Sequence, residues 1–69
     1  MIRIKVNGEE RVIEREMTVE ELLKHMGVRI RDVGLAVAVN EEVVPKSEYG
    51  KRIIREGDSV EIVQLVGGG

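Results

Sequence analysis

The chain has 69 residues, 42% apolar and 35% charged, with Lys+Arg 11 against Asp+Glu 13 for a net charge of -2. That length makes a single domain with a thin core, burying about 60% of the surface that its unfolded chain exposes, with little room for an enclosed catalytic cleft. Balanced charge speaks against a nucleic-acid partner, the lack of cysteine removes disulfides and thiolate chemistry, and one histidine, His25, leaves no His–His metal motif or Ser-His-Asp triad.

Ile2, Ile4 and Val6 alternate with Arg3 and Lys5, the period-two pattern of a strand with one buried face. Met1 leads straight into this pattern. No basic-then-apolar signal segment and no membrane-length apolar run is present, so the expectation is a cytoplasmic protein without membrane contact. Asn7-Gly8 suits a type I′ turn, because both residues tolerate positive φ, and carries no role beyond it. Residues 9–14 read as the returning strand, with Val12 and Ile13 as its apolar content.

Thr18-Val19-Glu20-Glu21 has the spacing of a capping box, and Met17 and Leu22 that of a hydrophobic staple. Val19, Leu22, Leu23 and Met26 share one helical face. Lys24 and His25 place positive charge in the last turn, and Gly27 supplies a left-handed stop. These signals predict a helix of two to three turns with one face on a sheet. Arg29-Ile30-Arg31 reads as a solvated loop.

Leu35–Val39 is apolar throughout, which predicts a central strand covered on both faces, or on one face plus a partner. Asn40-Glu41-Glu42 is a turn, and Val43-Val44 a short strand ended by Pro45, which cannot donate to a ladder. Ser47-Glu48-Tyr49 makes a short turn, with Tyr49, the sole aromatic, capping the core. Ile53-Ile54 and the turn Glu56-Gly57-Asp58 lead to a closing strand over residues 59–66. A hairpin, one helix and further strands make a two-layer α+β domain. The closing strand is apolar on both parities, Val60 and Ile62 against Val63 and Leu65. Val63 and Leu65 are therefore candidates for a partner surface, with a bulge or a thin second core as the alternative.

Gly67-Gly68-Gly69 follows that strand. Three residues without side chains form an arm of roughly 10 Å when extended. Such an arm can enter a channel too narrow for other residues, and it should be mobile unless bound.

The whole chain resembles the thiamine-biosynthesis sulfur carrier family (ThiS), relatives of the molybdopterin synthase small subunit and of ubiquitin. The resemblance runs through residues 2–8, Thr18-Val19-Glu20-Glu21-Leu22-Leu23, Leu35-Ala36-Val37-Ala38-Val39-Asn40 and Val43-Val44-Pro45-Lys46. It continues through Gly57-Asp58-Ser59-Val60-Glu61-Ile62-Val63 and ends at Val66-Gly67-Gly68-Gly69. The molybdopterin branch carries prolines ahead of its glycines, whereas Gln64-Leu65-Val66 has none, which favours the thiamine branch.

The resemblance implies a ubiquitin-like β-grasp, a mixed four- to five-stranded sheet on one main helix, over residues 1–66, with 67–69 as a flexible tail. It implies a protein co-substrate and not an enzyme. An E1-like adenylating enzyme would use magnesium-ATP, bound by that partner and not by this chain, to activate Gly69. Sulfur from a persulfide donor protein would make a thiocarboxylate there, and thiazole synthase would consume it. Gly67 and Gly68 would let Gly69 reach the partner's active site. A carrier for molybdopterin synthesis or transfer-RNA thiolation, and a ubiquitin-like modifier joined through Gly69, stay open as alternatives.

Overall fold

The computed structural model describes residues 1–30 and 34–65. The first strand, β1 (Ile2–Val6), buries Ile4 and Val6 and turns Arg3 and Lys5 outward, as its alternation predicts. Asn7 and Gly8 both take positive φ, 52° and 82°. This two-residue turn sends the chain back as β2 (Glu9–Ile13), antiparallel to β1, with Ile2 opposite Ile13 and Val6 opposite Glu9. Ile13 reaches the core and Val12 points to solvent.

Two residues, Met17–Thr18, form a short strand β3 that runs directly into helix α1 (Val19–His25). A helix of seven residues has no stability of its own in water, because nucleation is costly and few bonds follow. Its ends and one face hold this one. The Thr18 hydroxyl accepts from the Glu21 backbone N–H at 3.1 Å, and the Glu21 carboxylate accepts from the Thr18 N–H at 3.0 Å. At the other end Gly27, with φ 77°, donates to the Lys24 carbonyl and Val28 to the Leu23 carbonyl, the paired bonds of a Schellman stop. Val19, Leu22 and Leu23 are buried and Met26 is half-buried, so the predicted face is the one that packs.

Beyond the helix come β4 (Leu35–Val39), β5 (Glu42–Val44), a 3₁₀ turn (Lys46–Glu48), β6 (Ile53–Ile54) and β7 (Ser59–Gln64). The main sheet has five strands in the order β2-β1-β7-β4-β5. Its middle pair, β1 and β7, is parallel, and all other pairs are antiparallel. The helix covers one side of this sheet, giving the ubiquitin-like β-grasp. Tyr49 is buried within the single core cluster, which lies between helix and sheet.

The structure refines three readings of the sequence. Ile53-Ile54 does not join the main sheet; it pairs with Met17-Thr18 in a separate two-stranded ladder that fixes the start of the helix. β4 is covered by its own chain on one face, one of the two arrangements its sequence allowed: Leu35, Val37 and Val39 are buried, whereas Ala36 is exposed and Ala38 half-exposed. The loop after the helix is not wholly solvated, because Val28 and Ile30 pack against the core while Arg29 is exposed. Arg31 lies outside the described residues.

Candidate functional site

Side chains alternate across a strand, so each strand of the main sheet contributes to two faces. The face away from the helix carries Val43 of β5, Ala36 and Ala38 of β4, and Val63 of β7. Ala38 lies opposite Val43, and Ala36 opposite Val63. Val43 is 74% exposed, Val63 50% and Leu65, just past the strand, 70%. Val60, of the other parity, is fully buried, and Ile62 is partly so. The strand therefore has neither a bulge nor a second core here. Its two apolar sets separate cleanly, and Val63 and Leu65 form the end of an apolar strip on the open face. Towards β1 the same face becomes polar, with Arg3, Lys5 and Glu61 exposed.

Leu65 is the last described residue, so Val66 and the candidate glycines Gly67, Gly68 and Gly69 lie outside the described residues. What the structure does define is the base from which they start. The Leu65 N–H donates to the Gly34 carbonyl at 3.2 Å. Gly34 has φ +88°, and a Cβ placed on it would lie 2.9 Å from the Leu65 carbonyl oxygen and 3.1 Å from its Cβ. On the other side of β7, the Asn7 carboxamide grips the backbone of Ile62 with both its atoms. Its Oδ1 accepts from the Ile62 N–H at 2.7 Å, and its Nδ2 donates to the Ile62 carbonyl at 3.1 Å. Asn7 is thus more than a turn residue. The Asn7 backbone N–H ends the parallel ladder on the Val60 carbonyl at 2.8 Å, and its side chain supplies the next rung where β1 has already turned away. Nothing in the local sequence pattern announces a partner 55 residues distant.

Asn40 acts similarly one strand over. Its Oδ1 accepts from the Ser59 N–H at 2.9 Å, and its Nδ2 donates to Asp58 at 3.0 Å. Asp58 in turn accepts from the Arg55 N–H at 2.8 Å, so both turns flanking the start of β7 are tied together.

A shallow hollow of about 360 Å³ beside β1 is bordered by Arg3, Lys5, Glu10 and Glu56, whose charges oppose one another. Among the described residues no three His, Asp or Glu side chains are gathered as metal ligands. Nor is any helix among them long and apolar enough to cross a membrane. The described residues present an exposed apolar sheet face next to the end of β7.

The model of the ThiS family matches residues 4–69. The chain belongs to the ThiS family. Among ThiS relatives, the sulfur carrier protein ThiS of Thermus thermophilus is 44% identical over 64 residues, 93% of this chain and 95% of that protein. The sulfur carrier protein ThiS of Escherichia coli is 35% identical over 75% of this chain and 76% of its own length. A thiazole synthase of Paramagnetospirillum magneticum is 47% identical over 99% of this chain, which spans only 20% of that protein's length. The crystal structure of the thiamine biosynthesis protein ThiS from Geobacter metallireducens superposes with a TM-score of 0.83 at 27% identity. It covers 99% of this chain and all of that one. The fold expected for a ThiS chain is thus the fold observed.

Proposed function

We propose that this chain is a sulfur carrier protein of thiamine biosynthesis, a co-substrate whose reacting group is the carboxylate of Gly69. The observation that carries the proposal is family membership across nearly the whole chain, including the glycines, with carrier proteins of matching length as relatives. The apolar strip ending at Val63 and Leu65 supports it, because a carrier needs a docking surface beside its reacting end.

A carboxylate is a poor electrophile. In the proposed cycle an E1-like adenylating partner, which binds the magnesium and ATP, joins the Gly69 carboxylate to AMP and releases pyrophosphate. The terminal sulfur of a donor protein's persulfide attacks the carbonyl, and AMP leaves. A thiol then cleaves the resulting S–S bond and frees the thiocarboxylate. Thiazole synthase takes that sulfur into the thiazole ring. That two relatives of this chain, from P. magneticum and Magnetococcus marinus, are named thiazole synthase while the matching segment fills a fifth of each supports this partner. Gly67 and Gly68 carry no side chains and so let Gly69 pass into a narrow active site. The cycle belongs to the cytoplasm, where ATP is available.

Incubation with ATP, a persulfide donor and the adenylating enzyme tests the proposal by intact mass. The expected product gains the mass of one oxygen exchanged for sulfur, and removing Gly69 abolishes the gain. An unchanged mass with an enzyme that thiolates another carrier would refute it.

A further inference from the structure

We infer that Asn7 and Gly34 are positioning residues for the reacting end of this carrier, a conclusion that rests on the sulfur-carrier reading above. They hold β7 from opposite sides just before the chain leaves the sheet. Asn7 secures both backbone groups of Ile62 from the β1 side, and Gly34 receives the Leu65 N–H from the β4 side. Each is matched to this place by its conformation. Asn7 sits at φ 52° in the hairpin turn, a left-handed conformation that asparagine tolerates better than most residues. Gly34 sits at φ +88° against Leu65, with no space for a Cβ.

The geometry matters because β7 outruns its neighbour. β1 turns away at Asn7, level with the residues after Val60, while β7 continues to Gln64. From Ile62 onward, β7 has no β1 backbone beside it and without further support would be held by its ladder to β4 alone. The carboxamide replaces the missing rung, and the Gly34–Leu65 bond closes the opposite side. Gly69 is the fourth residue after Leu65, a reach of roughly 13–14 Å when extended. With the base clamped at Leu65, residues 62–65 are already in place when a partner engages the carboxylate. With the clamp lost, residues 62–65 are held from the β4 side alone, and the freedom they gain must be given up on docking, which opposes it. The consequence falls on binding of the carrier and not on bond-making at Gly69.

Asn7→Gly isolates this role, because glycine keeps the positive φ that the turn requires and deletes the carboxamide. Asn7→Asp retains an acceptor for the Ile62 N–H and loses the donor to its carbonyl, so it should fall between. Amide hydrogen exchange at Ile62, Val63 and Leu65 should accelerate at least about tenfold in Asn7→Gly while the core amides of Val37 and Leu23 keep their protection. In steady-state pyrophosphate release by the adenylating enzyme, KM for the carrier should rise about three- to tenfold with kcat within about twofold of wild type. Unchanged exchange at residues 62–65, an unchanged KM, or a fall in kcat alone would overturn the assignment. If the wild-type chain releases no pyrophosphate and gains no sulfur, the carrier reading itself has failed. The exchange experiment still reports on the clamp, because it needs no partner.

Discussion

The two faces of the five-stranded sheet are built from alternate residues of the same strands, and both hold valine at their centre. On the helix side, Ile4, Val6, Val37, Val39 and Val60 are almost completely removed from water. On the other, Val12, Val43 and Val63 keep half or more of their surface in solvent. Burial of a valine is worth about 1.5–3 kcal/mol, so the first set holds the fold together and the second, in the free chain, contributes little to it. An apolar residue that the fold does not use is available for something outside the fold. The two faces teach that composition alone cannot separate stabilising residues from docking residues; only the presence or absence of a covering helix does so.

That contrast can be broken most severely from the covered side. Leu23→Ala empties a fully buried position of the helix and should cost about 2–5 kcal/mol in urea unfolding, enough to threaten so small a domain. A smaller effect is expected where the covering helix begins. Thr18→Ala removes the cap and should cost about 1 kcal/mol. The same cap gives a pH signature. The Thr18 backbone N–H, with Arg15 nearby, holds the Glu21 carboxyl below its ordinary value of 4.5. Glu21 is ionised more readily in the folded chain than in the unfolded one. Its contribution is therefore complete above that ordinary value and fades as pH falls through the lower folded one. The stability difference between wild type and Glu21→Gln should shrink correspondingly below pH 4.5.

The smallest effect on the fold is expected on the open face. Val63→Lys or Leu65→Lys should change stability by less than about 1 kcal/mol. Either should nevertheless weaken capture by the adenylating enzyme or thiazole synthase by about tenfold, measured by calorimetry. Unfolding by these changes would make the open face part of the core after all.

The difference between local and distant interactions also governs what could be read in advance. The first hairpin, the capping box and the glycine stop each lie within a few residues, so the amino-acid order displays them directly. The two parities of the closing strand were legible as well, and with them Val63 and Leu65 as the candidates for exposure. Whether Val63 and Leu65 face a partner surface, a bulge or a thin second core was not, because any of these suits apolar side chains equally. The uniform run Leu35–Val39 left single and double coverage open, because alanine at 36 and 38 is small enough for either environment. The pairing of Met17-Thr18 with Ile53-Ile54 and the grip of Asn7 on Ile62 join segments far apart in sequence. No pattern in either segment alone reveals such a contact. The terminal glycines stand out in the sequence by composition, and they lie outside the described residues.

The parallel pairing of β1 with β7 has a consequence for how the chain assembles. The sheet's middle strand is nearly the last part of this sequence to be synthesised, and it must be inserted between β1 and β4. Closing so long a loop is entropically costly before any contact rewards it, which slows folding relative to a helical domain of equal size. Until residues 59–64 emerge from the ribosome, the hairpin β1–β2 and the pair β4–β5 have no strand between them to complete the sheet. A nascent chain therefore remains open to proteases until its closing strand is complete, and a copy truncated before that strand cannot persist as a folded decoy competing for the carrier's partners.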